Sequence, residues 1–298
     1  MLLKLTKKYF LTCLLGFGFG HAALSAEVAP HIDSISVPAI GQFSQIAMPV
    51  HVFKPEGRGP FTVVLFSHGR AASASDRASF STPIASGHVN FWLRKGFAVV
   101  APIRPGYGPN GGADRESSGS KVNSVTHQCK DSGDLAPSLR HGVQALKSAH
   151  DWVRQQSWAK RDSIILEGQS VGGLLTVVYG SENPSGVIGF INFSGGAAGY
   201  PADHIGHSCS ENQISRAYEV AGQKNRTPNL WLYAENDGFW GPDAPRRWYY
   251  GFSRANPNQT TFILTPPLDG KDGHFLLNYG GKYWGGPVSA FVTSLNVH

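Results

Sequence analysis

The pentapeptide Gly168-Gln169-Ser170-Val171-Gly172 sets a serine between glycines two residues to either side. Before it, Ser163-Ile164-Ile165-Leu166-Glu167 is a β-branched, apolar run that reads as a buried strand. After it, Gly173-Leu174-Leu175-Thr176-Val177-Val178 reads as the start of an apolar helix. Strand, G-x-S-x-G and helix together form a nucleophile elbow, a sharp turn that holds the serine in a strained conformation at a strand tip. Side chains at the two glycine positions would collide with the neighbouring strand and helix. The helix start aims amide N–H groups and the positive end of its dipole at the place where an oxyanion would form.

A serine hydroxyl is a poor nucleophile until a base takes its proton and a third group orients that base. The partners are expected downstream, acid before histidine, each just past a strand. Asp237 follows the run Leu230 to Ala234, within Ala234-Glu235-Asn236-Asp237-Gly238. His274 follows the last apolar run, within Lys271-Asp272-Gly273-His274-Phe275. Asp237 before glycine is also a common turn former, and Glu235 and Asp243 are rival acids. The ordered set of Ser170, Asp237 and His274 is far more specific than any one of them.

An oxyanion needs two amide donors. Val171 N–H supplies one, and the loop Ser67-His68-Gly69-Arg70 after Val63 to Phe66 supplies the other, with Arg70 N–H as the candidate. His68 is read as structural, beneath that loop, rather than as a second base. Phe239, Trp240, Trp248, Tyr249 and Tyr250 cluster near the acid, and Tyr107 lies on another long loop. From these, Tyr107, Phe239 and Trp240 are the candidate walls of an apolar substrate pocket, the rest being ordinary packing.

The elements that must position these residues alternate strand and helix. Strands are predicted at 46–53, 61–66, 97–102, 163–167, 186–193, 229–234 and 260–264, with helices ending at 95, starting over 173–178, and spanning 136–157, 212–223 and 284–296. Continuous apolar strands of this kind predict an α/β fold, a mostly parallel sheet with helices on both faces. Two connections, residues 103–135 and 194–211, are long and rich in Gly, Ser and Pro. Both leave the carboxyl edge of the sheet, where ligands bind in such folds.

The N-terminus reads as an export signal over residues 1–26: Lys4, Lys7 and Lys8, an apolar centre from Tyr9 to Phe19, then small residues up to Ala26. That centre is shorter than the roughly 20 residues a membrane span needs, so no stable membrane anchor is expected. Residues 27–298 then form a single domain. The formal charge of +6 falls to +3 without the three signal lysines, 23 basic against 20 acidic residues. The remaining basic residues form no stripe, which argues against nucleic-acid binding. Export to an oxidising compartment leaves Cys129 and Cys209 as a pair expected to form a disulfide. The spacing of His204, His207 and Cys209, with His127 and Cys129, could instead ligate zinc; the compartment favours the disulfide, and no metal is expected.

With His68-Gly69, Arg104-Pro105-Gly106-Tyr107-Gly108, the elbow, Ala234 to Asp237 and Asp272 to His274 in place, the chain resembles the exported dienelactone-hydrolase-like branch of the α/β-hydrolases over residues 45–295. The resemblance implies a Ser170-His274-Asp237 triad, hydrolysis without a metal or other cofactor, and small ester substrates. Dienelactone hydrolases proper carry a cysteine nucleophile where this chain has Ser170, so a general carboxylesterase is the expectation rather than a lactonase. The alternatives are a serine peptidase or amidase of the same fold, which usually carries a further large domain, and a non-catalytic binding protein that keeps the fold.

Overall fold

A computed structural model of the chain describes residues 29–39, 44–108 and 111–296. The segment 1–26 read as an export signal lies outside the described residues. In chain order the strands are β1 (His31–Pro38), β2 (Gln45–Phe53), β3 (Phe61–Ser67), β4 (Ala98–Pro102), β5 (Lys121–Asn123), β6 (Gln128–Asp131), β7 (Ala159–Gln169), β8 (Val187–Phe193), β9 (Gly199–Tyr200), β10 (His204–Ser208), β11 (Asn229–Ala234) and β12 (Thr260–Thr265). The helices are α1 (Ala74–Ala78), α2 (Ser86–Leu93), α3 (Ala136–Val153), α4 (Val171–Gly180), α5 (Glu211–Lys224), α6 (Asp243–Ser253), α7 (Leu276–Tyr279) and α8 (Gly281–Ser294).

Eight strands make one sheet in the order β1-β2-β4-β3-β7-β8-β11-β12. From β4 to β12 every pairing is parallel, while β2 runs antiparallel to both β1 and β4. Alternate residues of the central strands feed two cores. Val63, Leu65, Ile164, Leu166, Trp231 and Tyr233 face α3, α4, α5 and α6. Val64, Phe66, Ile165, Leu230, Leu232 and Ala234 face α2, α7 and α8. Burial on both faces is why these strands are continuous apolar runs; each such aliphatic or Phe side chain contributes about 1.5–3 kcal/mol over its exposed state.

The order also explains the site. β3 and β7 are neighbours in parallel register, with Ser67 opposite Gly168. The loop after β3 and the turn after β7 therefore meet at the same edge. The ends of β11 and β12 leave that edge too, with Ala234 opposite Thr265.

The sequence reading missed β1, and it treated the long connections as plain loops. Residues 103–135 carry the β5–β6 hairpin and residues 194–211 the β9–β10 hairpin. The hairpins are joined by the disulfide Cys129–Cys209, with Cα atoms 5.4 Å apart. Around it, Ser210 Oγ donates to Ser132 O at 2.6 Å and Gln213 Nε2 to Gly133 O at 2.8 Å. Ligand atoms of Cys129, His204 and Cys209 lie within 4.8 Å of one another. The two sulfurs are bonded to each other, however, and His204 Nδ1 meets the His127 carbonyl at 2.6 Å. No helix among the described residues is long and apolar enough to cross a membrane.

The disulfide closes a loop with a sequence separation of 80 residues. On the chain-entropy model a loop of that size confers up to about 4 kcal/mol. A Cys129→Ser, Cys209→Ser double variant should show a lower denaturant midpoint, with the slope raised because its unfolded chain is less compact. Non-reducing peptide mapping of the wild type should recover the linked pair, and two free thiols in the native protein would overturn the pairing.

Candidate active site

At the end of β7 the chain turns sharply into α4, and Ser170 is the hinge, with φ of 56° and ψ of −125°. A non-glycine residue in such a conformation stores about 1–3 kcal/mol of strain. Hydrogen bonds hold it there: Ser170 N–H donates to Phe193 O at 3.0 Å, and Ser170 O accepts from Leu174 N–H at 3.1 Å. The flanking glycines are demanded by contact. A Cβ at Gly172 would lie 2.0 Å from Ser67 O, and one at Gly168 would lie 2.2 Å from Gly172 O. The helix thus sits directly on the end of β3.

Ser170 Oγ is 3.0 Å from His274 Nε2, and His274 Nδ1 is 3.2 Å from each carboxylate oxygen of Asp237. Asp237 and His274 are both buried. Asp237 Oδ1 also accepts from Phe239 N–H at 2.8 Å and Trp240 N–H at 3.1 Å, so the carboxylate is aimed by its own turn. The rival acids stand elsewhere. Glu235 is exposed, and Asp243 is exposed and pairs with Arg246 at 3.4 Å. A carboxylate on Nδ1 keeps the Nδ1–H tautomer, which leaves Nε2 free to accept the serine proton.

Asp272 is a site residue that sequence reasoning quoted but gave no role. Its Oδ1 accepts from Gly238 N–H and from His274 N–H, both at 2.8 Å. One carboxylate therefore locks the turn carrying the acid to the turn carrying the imidazole. The signal was present in the Asp272-Gly273-His274 spacing, because an aspartate two residues upstream commonly caps a backbone N–H.

The loop after β3 lies against the elbow, and a Cβ at Gly69 would come within 3.3 Å of Ser170 Cβ. His68 is buried beneath this loop, as expected, with its ring 4.6 Å from that of Phe80 and 4.7 Å from that of Tyr107. Arg104 and Glu116 form a buried ion pair beside it. Arg104 Nη1 also donates to Ser67 Oγ at 2.9 Å, and Tyr107 hydroxyl donates to Glu116 Oε2 at 2.6 Å. Arg70 and Arg77 meet Asp114, at 2.5 and 3.2 Å.

None of the three candidate pocket residues lines the open cavity. Tyr107 is buried with its hydroxyl committed to Glu116, and burial followed by the Glu116 charge pushes that phenol up. Trp240 is buried as well; its Nε1 donates to Ser194 O at 2.8 Å, and its ring stands edge-on to His274 at 5.4 Å. Phe239 stacks on the imidazole, centroids 3.9 Å apart, and so backs the base. The open cavity lies on the other side, between residues 68–85 and 275–279, with a volume of about 460 Å³. Phe80, Ile84, Phe275 and Tyr279 supply its apolar wall, and Gln169 and Asn278 its polar one. Phe275 and Tyr279 are exposed aromatics.

No family model matches the chain, and no curated protein is significantly similar to it in sequence. Solved structures are similar in fold. A 2,6-dihydroxy-pseudo-oxynicotine hydrolase superposes with a TM-score of 0.59 at 15% identity, covering 89% of this chain and 68% of that one. An esterase of Pyrococcus furiosus gives 0.60 at 12% identity, covering 89% and 91%. A Klebsiella pneumoniae protein assigned as a dienelactone hydrolase gives 0.56 at 15%, covering 89% and 99%. The chain has the α/β-hydrolase fold. In that fold Ser170 occupies the elbow, and the resemblance drawn from the motifs holds at the level of architecture.

Replacing Asp237 by Asn keeps the shape but favours the wrong imidazole tautomer, an exchange that costs about 10⁴ in turnover in a serine protease. Asp237→Asn is expected to lose on the order of 10² to 10⁴ in kcat. Glu235→Gln and Asp243→Asn should change it little. Steady-state kinetics on folded variants checks this, and a larger loss from either rival would reassign the acid.

Proposed function

We propose that the protein is an exported serine hydrolase that cleaves small carboxylic esters through an acyl-enzyme. The observation that carries the reading is the continuous line from Ser170 Oγ to His274 Nε2 at 3.0 Å and from His274 Nδ1 to Asp237 at 3.2 Å. Ser170 Oγ attacks the ester carbonyl carbon while His274 Nε2 takes its proton. The tetrahedral oxygen anion is met by Val171 N–H, at the positive end of α4, and by Arg70 N–H. His274 then returns the proton to the departing alcohol. Water attacks the acyl-enzyme, again giving its proton to His274, and the carboxylic acid leaves as Ser170 is restored.

The apolar wall of Phe80, Ile84, Phe275 and Tyr279 suits the hydrocarbon part of an ester, and the polar wall of Gln169 and Asn278 suits its polar part. Export is supported by the charged, apolar and small-residue succession in residues 1–26 and by the Cys129–Cys209 disulfide, a bond that persists in oxidising compartments.

The reading is tested by a fluorophosphonate and a series of p-nitrophenyl esters of graded acyl length. One adduct is expected on Ser170, lost in Ser170→Ala at unchanged folding, together with ester turnover that also vanishes. Labelling that survives in folded Ser170→Ala, or no turnover of any ester, would sink the proposal.

A further inference from the structure

We infer that His68 is a positioning residue: its imidazole holds the Gly69–Arg70 peptide so that the Arg70 N–H faces the cleft before any substrate arrives. The inference rests on the serine-hydrolase reading for its catalytic consequence. Its geometric basis is independent of that reading.

His68 Nδ1 is 2.7 Å from Gly69 O, and His68 Nε2 is 3.2 Å from Arg104 N. A backbone N–H can only donate, so Nε2 is the acceptor and carries no proton. Nδ1 therefore bears the hydrogen and donates to Gly69 O. The Gly69–Arg70 bond is trans. In a planar trans peptide the carbonyl and the following N–H point in opposite directions. With Gly69 O drawn down onto the buried imidazole, Arg70 N–H points away from it, toward the cavity that Gly69 and Arg70 line beside Ser170. Arg70 N–H makes no backbone hydrogen bond among the described residues.

The imidazole cannot readily rotate or protonate. Phe80 and Tyr107 pack on the ring, and both nitrogens are occupied. The groups around it are the Arg104 guanidinium, the Tyr107 phenol and, through them, the Glu116 carboxylate. Burial first, and then the Arg104 charge, hold His68 well below the ordinary histidine range. A protonated ring would lose its acceptor for Arg104 N–H and place a second cation beside Arg104. A neutral, buried clamp reaching from the β3 loop to the β4 loop can hold a peptide plane rigid without taking part in proton transfer.

The test compares His68→Leu with His68→Asn. Leucine fills the site without donor or acceptor, whereas the asparagine Nδ2 can stand where Nδ1 stood and restore the bond to Gly69 O. Removing one oxyanion donor elsewhere costs about 10²–10³ in kcat. His68→Leu is expected to lose kcat on that order with KM within a few-fold, and a trifluoromethyl ketone, which forms an oxyanion on the serine, should weaken in parallel with kcat/KM. His68→Asn should recover at least about a tenth of the activity. A folded His68→Leu with kcat within threefold of wild type, or a loss confined to KM, would overturn the inference. If the leucine variant does not fold, ¹⁵N NMR of the wild type decides. An Nδ1–H neutral ring from pH 8 to pH 5 supports the clamp, and an Nε2–H tautomer or an imidazolium refutes it. A wild type that neither turns over esters nor labels at Ser170 would sink the hydrolase reading alone, because the NMR result still reports the peptide's orientation.

Discussion

The contact on which the site depends is the seating of α4 on the end of β3. A methyl group at Gly172 would overlap Ser67 O at 2.0 Å, so the helix start and the β3 terminus are as close as two backbones come. That closeness forces Ser170 into its positive-φ hinge, because the chain must reverse within a single residue between β7 and α4. It also sets the Ser67-His68-Gly69-Arg70 loop against the nucleophile with no intervening side chain. On the proposed reading, the amide groups at the helix start and those of the loop face one small volume as a result. Strain at the serine is the cost of this arrangement, and it is borne by packing on both sides.

The acid and the base come from the ends of β11 and β12, and they are fixed by a different means. Among the described residues no backbone–backbone hydrogen bond joins their turns to the elbow; side-chain carboxylates accepting backbone N–H groups fix them instead. Asp237 accepts from its own turn, and Asp272 ties that turn to His274. Phe239 then supports the imidazole from behind at 3.9 Å. A histidine held at its backbone, its Nδ1 and its ring face has little freedom left, so its Nε2 stays within 3.0 Å of Ser170 Oγ.

How much of this could be read from the chain depends on the distance over which each interaction acts. The strands β3, β4, β7, β8 and β11 were legible because burial on both faces writes a continuous apolar run, and the edge strand β12 because Phe262, Ile263 and Leu264 are apolar in a row although only half-buried; β11, Asn229 to Ala234, was recovered to the residue. β1 was not, because one face, Ile32, Ser34, Ser36 and Pro38, is exposed, and on the other only Ile35 and Val37 are buried, after the polar His31 and Asp33. α6 was hidden inside an aromatic cluster, although Ala244, Trp248 and Phe252 recur every four residues and are all buried. The elbow and the order of acid and histidine are local patterns, and the chain brings them together as anticipated. Tyr107 is the instructive failure. Nothing near it in sequence says that Arg104 and Glu116 close over it, so an aromatic on a Gly-rich loop was assigned to a pocket wall that the fold builds from Phe80, Phe275 and Tyr279 instead.

Buried ionisable side chains in hydrogen-bonded pairs mark both flanks of the nucleophile. On one side Arg104 and Glu116 pair under the β3 loop. On the other, Glu167, one residue before Gly168, meets His88 Nε2 at 2.7 Å and Trp92 Nε1 at 3.0 Å while fully buried on β7. Such pairs add little stability over well-packed apolar residues, since desolvation offsets most of their attraction. What they do impose is geometry, because a partner that shifts leaves a buried charge unpaired at a cost of about 3–5 kcal/mol. On the proposed reading this is why they flank Ser170 and not the outer strands. An oxyanion site stabilises charge only if its dipoles are already in place when the charge appears. A purely apolar support could slide by a few tenths of an ångström at small cost, whereas a hydrogen-bonded ionic one cannot.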